Sequence, residues 1–276
     1  MASNLAKRLL VAAVGIPIVV VVAWKGGVVM AIGLGILAAV GVGEVSRMLA
    51  ERRQPFLYRL APVVAAALPT LAWTTGADGT AAALTAAFLA MFVVATMRVP
   101  PERGPFRAVA LSFTAAAYVG GLLAFALLLR ERLVPDRVLG LALFFLPVVV
   151  TWLADTAAYF AGRAFGSRPM APVVSPNKTV EGGVAALLAG PLGALAVAHL
   201  AVPELVEIGT AGLVVTGTLI AAAAVFGDLA ESALKRECGV KDSSRLLPGH
   251  GGLLDRMDSL LWSFPVAYFC LVHYLG

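Results

Sequence analysis

Charge is scarce in this chain. Asp, Glu, Lys and Arg make up 13% of its 276 residues and apolar residues 60%, whereas roughly a quarter of a soluble globular domain is charged. Histidine (3) and cysteine (2) are scarcer still. Neither Cys238 nor Cys270 has a Cys or His partner at metal-ligand spacing, which argues against a thiolate metal cluster, and one lies in a charged loop while the other lies in an apolar run, so no disulfide is expected between them. The polar–apolar alternation of a membrane β-barrel is missing. Missing too is any basic module interleaved with aromatics, which argues against a nucleic-acid partner. A mean hydropathy of +0.92 points to an integral membrane protein.

What the chain has is long apolar runs, at 9–24, 27–46, 57–75, 80–97, 108–129, 138–161, 182–202, 208–227 and 257–275. Each approaches the roughly 20 residues that a bilayer-spanning helix needs, and lipid demands that backbone polar groups be satisfied within the segment. The expected fold is therefore all-α and polytopic: a bundle of about nine transmembrane helices forming a single membrane domain, 1–276. Helices 1–5 (1–137) are expected to act as scaffold, and helices 6–9 (138–276) to carry the chemistry. Pro17, Pro147, Pro191 and Pro265 fall inside spans and are expected to bend them. Gly33, Gly35, Gly41 and Gly43 suit close helix packing. Lys7 and Arg8 before the first run resemble a signal-peptide start, but no small-x-small cleavage site precedes a soluble region, so the run is read as the first span.

Nine spans put the N-terminus and the connections 47–56, 98–107, 162–181 and 235–256 on one side. That side holds 17 of the 21 Lys and Arg residues; Lys25, Arg130, Arg132 and Arg137 lie on the other. Positive residues stay cytosolic, so the N-terminus and these connections are expected in the cytosol, in a bacterial inner membrane. The net charge of +5 is then accounted for by topology and anionic lipid headgroups.

The two longest connections, 162–181 and 235–256, are also where polar residues collect. In WLADTAAYFAGRAFG (152–166), Asp155, Tyr159 and Arg163 share one helical face. SPNKTVEGG (175–183) offers Ser175 or Thr179 as a cap, Lys178 as a point charge and Glu181 at a helix N-terminus suited to phosphate. In FGDLAESALKR (226–236), Asp228, Glu231, Ser232 and Lys235 lie along one face. PGHGGLLDRMDS (248–259) supplies a Pro-Gly turn, two glycines that let backbone N–H groups approach a ligand, His250, and Asp255 and Asp258 beside Arg256. A neutralised Asp155–Arg163 pair, an ordinary helix cap and a solvated helix end would each account for one cluster alone. Their convergence on one membrane face suggests carboxylates for a hard cation such as Mg²⁺ and bases for phosphate, hence phosphoryl or nucleotidyl transfer.

Ser232, Lys235, Arg236, Lys241, Asp242, Pro248, His250, Gly251, Gly252, Asp255, Arg256 and Asp258 keep the spacing Ser-x-x-Lys-Arg, four residues, Lys-Asp, then Pro-x-His-Gly-Gly-x-x-Asp-Arg-x-Asp. In this the chain resembles the phosphatidate cytidylyltransferase (CDP-diacylglycerol synthase) family, and SPNKTVEG resembles that family's second motif. It departs at Ser243-Ser244, where the family often has a bulky residue and then Gly; the two serines are expected to make the loop tip more polar. The resemblance implies an enzyme of phospholipid biosynthesis that transfers CMP from CTP to phosphatidic acid, giving CDP-diacylglycerol and pyrophosphate. It implies Asp228 and Asp255 as Mg²⁺ ligands supported by Asp258. Substrate contacts are expected from Ser175, Asn177, Lys178, Glu181, Ser232, Lys235, Arg236, Lys241, Asp242, His250, Gly251, Gly252 and Arg256, with Asp155 and Tyr159 lining the cavity. It leaves room for a second cation and for a homo-oligomer. Two alternatives stand beside it: CTP-dependent transfer to an isoprenoid or ether lipid, and a cation-coupled transporter, against which the lack of an internal repeat and the one-sided charge both count.

Overall fold

The computed structural model describes the backbone of residues 2–275 and the side chains of residues 9–275, so the side chains of Lys7 and Arg8 lie outside the described residues. Among the described residues nine α-helices follow in order: α1 (Ala2–Lys25), α2 (Gly27–Glu51), α3 (Leu60–Arg98), α4 (Pro105–Ala116), α5 (Leu122–Glu131), α6 (Arg137–Phe165), α7 (Val180–Leu200), α8 (Gly209–Cys238) and α9 (Asp258–Leu275). A π-helical turn, Ala117–Gly121, joins α4 to α5. Among the described residues six helical stretches are both long and apolar enough to cross a membrane: Gly27–Glu51, Leu60–Arg98, Pro105–Glu131, Arg137–Phe165, Val180–Leu200 and Pro203–Cys238. The protein is an all-α polytopic membrane protein. The four prolines expected inside spans lie within α1, α6, α7 and α9.

α3 is 39 residues long. Unbroken, it would reach about 58 Å, nearly twice the roughly 30 Å hydrocarbon core. Gly76, with φ 73° and ψ −162°, is non-helical and divides it, which is why two separate apolar runs, 57–75 and 80–97, are legible there.

Residues expected to form a plain connection instead make a small antiparallel hairpin. β1 (Pro169–Ala171) pairs with β2 (Ser175–Thr179), placing Pro169 opposite Thr179 and Ala171 opposite Ser175. Pro176 favours this extended backbone, and an edge strand tolerates its missing N–H.

The chain divides into two compact units. The first comprises residues 1–128 and 238–256, the second 129–237 and 257–276. In the first, α2 buries Met30, Leu34, Ala38, Val42, Val45 and Leu49, and α3 buries Ala61, Ala65, Leu68 and Ala72. These are three- and four-residue spacings, one stripe on each helix. The other side of α2 leaves Val28, Val29, Ile32 and Ile36 exposed, as suits lipid. Lipid tails are as apolar as these side chains, so the helices are held by close packing: a Cβ on Gly35 would stand 2.7 Å from the Ala66 carbonyl oxygen, too near to fit without movement.

The second unit packs in the same way. A Cβ on Gly190 of α7 would lie 2.3 Å from the Gly217 carbonyl oxygen of α8. The hydroxyls of Thr151 on α6 and Ser263 on α9 share a buried hydrogen bond of 2.8 Å. About two turns back along α6, Phe144 stacks on Phe264, the residue after Ser263, with ring centroids 5.6 Å apart.

Candidate active site

The first unit gathers its chemistry in residues 238–256. Arg52, just past α2, donates from Nε to the Cys238 carbonyl at 2.9 Å and so fixes the start of this loop. Leu247, Pro248, Gly249 and His250 form a turn closed by the His250 N–H on the Leu247 carbonyl. Pro at its second position and Gly249 at its third, with φ 77°, are the residues a type II turn calls for. Gly251 then pairs its carbonyl with the Leu247 N–H.

Asp255, in a short 3₁₀ turn ahead of α9, draws the loop back on itself. Its Oδ2 accepts from the Ser243 N–H at 2.9 Å, the Ser243 hydroxyl at 3.0 Å and the Gly252 N–H at 2.8 Å. Backbone N–H groups fix a carboxylate while matching its charge. A cleft of about 670 Å³ opens beside this knot, lined by the 247–251 turn with Lys241, Asp242, Ser244, Arg245 and Arg256. With three bases facing one acid, the cleft suits a polyanion, and the two guanidiniums offer forked donors to phosphate.

Ser243 and Ser244 do not make an exposed polar tip. Ser243 is buried, and both hydroxyls turn inward onto Glu44 of α2. Glu44 was not among the residues nominated from sequence. It is nevertheless the only charged residue in the apolar run 27–46, and an ionisable group inside a span is by default functional; that signal was available.

The second unit gathers its chemistry around the hairpin. Thr179 caps α7, its hydroxyl accepting from the Gly182 N–H at 3.2 Å. Lys178, beside it, pairs with Asp228 of α8 at 2.5 Å. The other Asp228 oxygen accepts from the Ser232 hydroxyl at 3.4 Å. One turn on, Lys235 is ion-paired with the fully buried Glu231. Arg236 donates to the Val174 carbonyl at 3.3 Å and tethers the hairpin tip. The Glu181 carboxylate accepts from the Ser167 N–H and hydroxyl and from the Arg168 N–H and Nε, at 2.9–3.3 Å.

A cleft of about 590 Å³ lies between α6, α7, α8 and the hairpin. Asp155, Tyr159, Arg163, Asn177, Lys178 and Asp228 supply its polar lining, while Ala158, Met170 and Val225 supply an apolar side. The Arg163 guanidinium donates to the Tyr159 hydroxyl at 3.1 Å, so the stripe read from the sequence exists as a contact. A mixed lining of this kind suits an amphiphile. Asp258 begins α9, with Oδ1 accepting from the Ser259 N–H at 2.7 Å, and Ser175 is the first residue of β2.

Among the described residues no group of three or more His, Cys, Asp or Glu side chains is placed to hold a metal. Mg²⁺, however, is commonly held by one or two carboxylates together with substrate phosphates.

A model of the cytidylyltransferase family matches residues 6–274. The chain belongs to the cytidylyltransferase family. Curated relatives agree. The chain is 42% identical over 158 residues to the phosphatidate cytidylyltransferase of Haemophilus influenzae, covering 56% of this chain and 54% of the relative. It is 47% identical over 137 residues to that of Bacillus subtilis and 43% over 133 residues to that of Brucella suis, in each case covering 48% of both chains. The chain thus spans about half the length of the curated relatives it matches. Of the twelve spaced residues read from the sequence, Lys241, Asp242, Pro248, His250, Gly251 and Arg256 line the cationic cleft of the first unit, Ser232, Lys235 and Arg236 lie on α8, and Asp258 begins α9.

Proposed function

We propose that this protein is a phosphatidate cytidylyltransferase, converting CTP and phosphatidate to CDP-diacylglycerol and pyrophosphate. One observation carries the reading: Lys241, Asp242, Pro248, His250, Gly251 and Arg256 of the signature line one cleft, whose cations, Lys241, Arg245 and Arg256, outnumber its single acid, Asp242. The relatives from Haemophilus influenzae and Bacillus subtilis, both phosphatidate cytidylyltransferases, support it. CTP occupies this cleft with its phosphates on those cations. Phosphatidate occupies the cleft of the second unit, its phosphate toward Arg163, Asn177 and Lys178 and its glycerol and acyl portion toward Ala158, Met170 and Val225.

A phosphate oxygen of phosphatidate attacks the α-phosphorus of CTP. A new P–O bond forms as the bond to the β-phosphate breaks, and pyrophosphate leaves with that electron pair. A phosphate monoester is already largely anionic at neutral pH, so the protein's part is positioning and charge neutralisation. Asp255 in the first unit and Asp228 in the second are the candidate Mg²⁺ ligands, with Asp258 in support. Their hard oxygen chemistry fits, and Asp255 is already held in place by two N–H groups and a hydroxyl. When bound, Mg²⁺ would neutralise charge on the phosphate oxygens.

The charge asymmetry of the connections supports a cytosolic site, and the bacterial relatives support the inner membrane. Purified protein supplied with Mg²⁺, CTP and phosphatidate should release pyrophosphate and form a CDP-lipid. Substituting an isoprenoid or ether-lipid acceptor at fixed CTP tests the choice of lipid, and turnover with one of those in place of phosphatidate would reassign it.

A further inference from the structure

Glu44 lies near the end of α2, 1% exposed. Its carboxylate is filled by four donors, all from the loop about 200 residues later in the chain. Oε1 accepts from the Ser244 hydroxyl at 2.5 Å and the Leu253 N–H at 2.9 Å. Oε2 accepts from the Ser243 hydroxyl at 3.0 Å and the Leu254 N–H at 2.8 Å. Two backbone N–H groups and two hydroxyls can stabilise a buried carboxylate without a cation. The loop packs tightly around it: a Cβ on Gly252 would stand 2.8 Å from both Glu44 oxygens and 1.9 Å from the Ser243 hydroxyl.

Ser243 links this carboxylate to a second one. Its hydroxyl oxygen is 3.0 Å from Glu44 Oε2 and 3.0 Å from Asp255 Oδ2. It has one proton to give, so it donates to one carboxylate at a time. The orientation of Asp255 and the backbone path through Gly251 and Gly252 are thereby tied to a carboxylate that does not line the cationic cleft.

We infer that Glu44 is a positioning residue for nucleotide binding, acting through Ser243 and the Leu253 and Leu254 N–H groups to hold Asp255 and the 247–256 wall of the cationic cleft in binding geometry. This rests on the assignment of CTP to that cleft. Glu44→Gln keeps the side chain's size but replaces one oxygen with an amide that cannot accept from a backbone N–H, so either Leu253 or Leu254 loses its partner. Ser243→Ala removes only the bridging hydroxyl and leaves the Asp255 contacts with two N–H groups in place.

The test measures equilibrium binding of CTP with Mg²⁺ to the full-length protein in detergent, alongside KM for CTP and for phosphatidate. Glu44→Gln should weaken CTP binding and raise KM for CTP about tenfold or more, Ser243→Ala by a smaller factor, and KM for phosphatidate should stay within about twofold. The double variant should lose less than the product of the two single losses, because both act through one contact. Amide exchange should accelerate at Leu253 and Leu254 in Glu44→Gln while the helices keep their protection.

Unchanged CTP affinity in both variants, equal rises in both KM values, or a fall in kcat with both KM values unchanged would each overturn the inference, the last because a mere loss of folded protein acts that way. Wild-type turnover of CTP and phosphatidate combined with any of these outcomes sinks the Glu44 role alone. A wild type that binds no CTP removes the functional reading and this inference together.

Discussion

Lys178 and Asp228 neutralise each other across 2.5 Å, so at rest neither presents a bare charge to the cleft they line. In the proposed reaction Lys178 would be free to turn to a substrate phosphate if Asp228 were to hold a divalent cation, leaving neither charge unpaired. Removing one member would spoil that exchange. Lys178→Ala is expected to lower kcat/KM for phosphatidate by about a hundredfold or more, since it leaves a partly buried carboxylate without its cation. Lys178→Arg should recover only part of the loss, because a guanidinium is a planar fork and not a point charge. Asp228→Ala and Asp255→Ala should each abolish most pyrophosphate release; if both kept near-wild-type turnover, the metal assignment would be wrong. Asp155, Tyr159, Asn177, Lys178 and Asp228 were put forward by three separate stretches of sequence, through helical spacing and the SPNKTV motif, and they line one cleft, apart from the cleft of Lys241, His250 and Arg256. Glu44 was overlooked because its partners come from the far end of the chain, and no local spacing connects residue 44 with residues 243–254.

At the scale of elements, the loop 238–256 shows what a motif conveys and what it conceals. Its glycines and proline announce a turn, and the turn is there. Its serines suggest a more polar loop tip because sequence does not reveal which way a hydroxyl points; here they face inward to two carboxylates. Gly252→Ala is expected to lose nearly all activity with the helices intact, since the added methyl would fall 1.9 Å from the Ser243 hydroxyl; near-normal turnover would show that the loop yields easily. The hairpin at 169–179 was read as a connection because two short strands have too few residues to show alternation. Glu181 makes a related point. A carboxylate in a helix's first turn satisfies ligand-binding and structural readings equally, and only the fold reveals that Ser167 and Arg168 claim it. Between α6 and α9, the Thr151–Ser263 hydrogen bond is expected to contribute about 0.6 kcal/mol, as is usual between membrane helices. A double-mutant cycle of Thr151→Val and Ser263→Ala in thermal unfolding would measure it.

Across the whole molecule, apolar run length was the most legible quantity, because a bilayer imposes one length scale on every span. Runs 57–75 and 80–97 correspond to the two arms of α3 on either side of Gly76. Grouping was less legible. Reading the chain in order assigned residues 1–137 to scaffold, whereas loop 238–256 belongs with the early helices in the first unit. Sidedness rests on charge and has a direct check. Val173, at the hairpin tip and 89% exposed, should, as Val173→Cys, react with a membrane-impermeant maleimide in inverted vesicles and stay unlabelled in intact spheroplasts. The opposite pattern would invert the proposed topology.

The first unit's discontinuity also sets an order of events during synthesis. Glu44 emerges from the ribosome early, inside an apolar helix, and waits for about 200 further residues before Ser243, Ser244, Leu253 and Leu254 are made. Until then its carboxylate has none of the four donors that the folded unit supplies. An N-terminal half made alone would therefore keep an acid inside an apolar helix without those four donors.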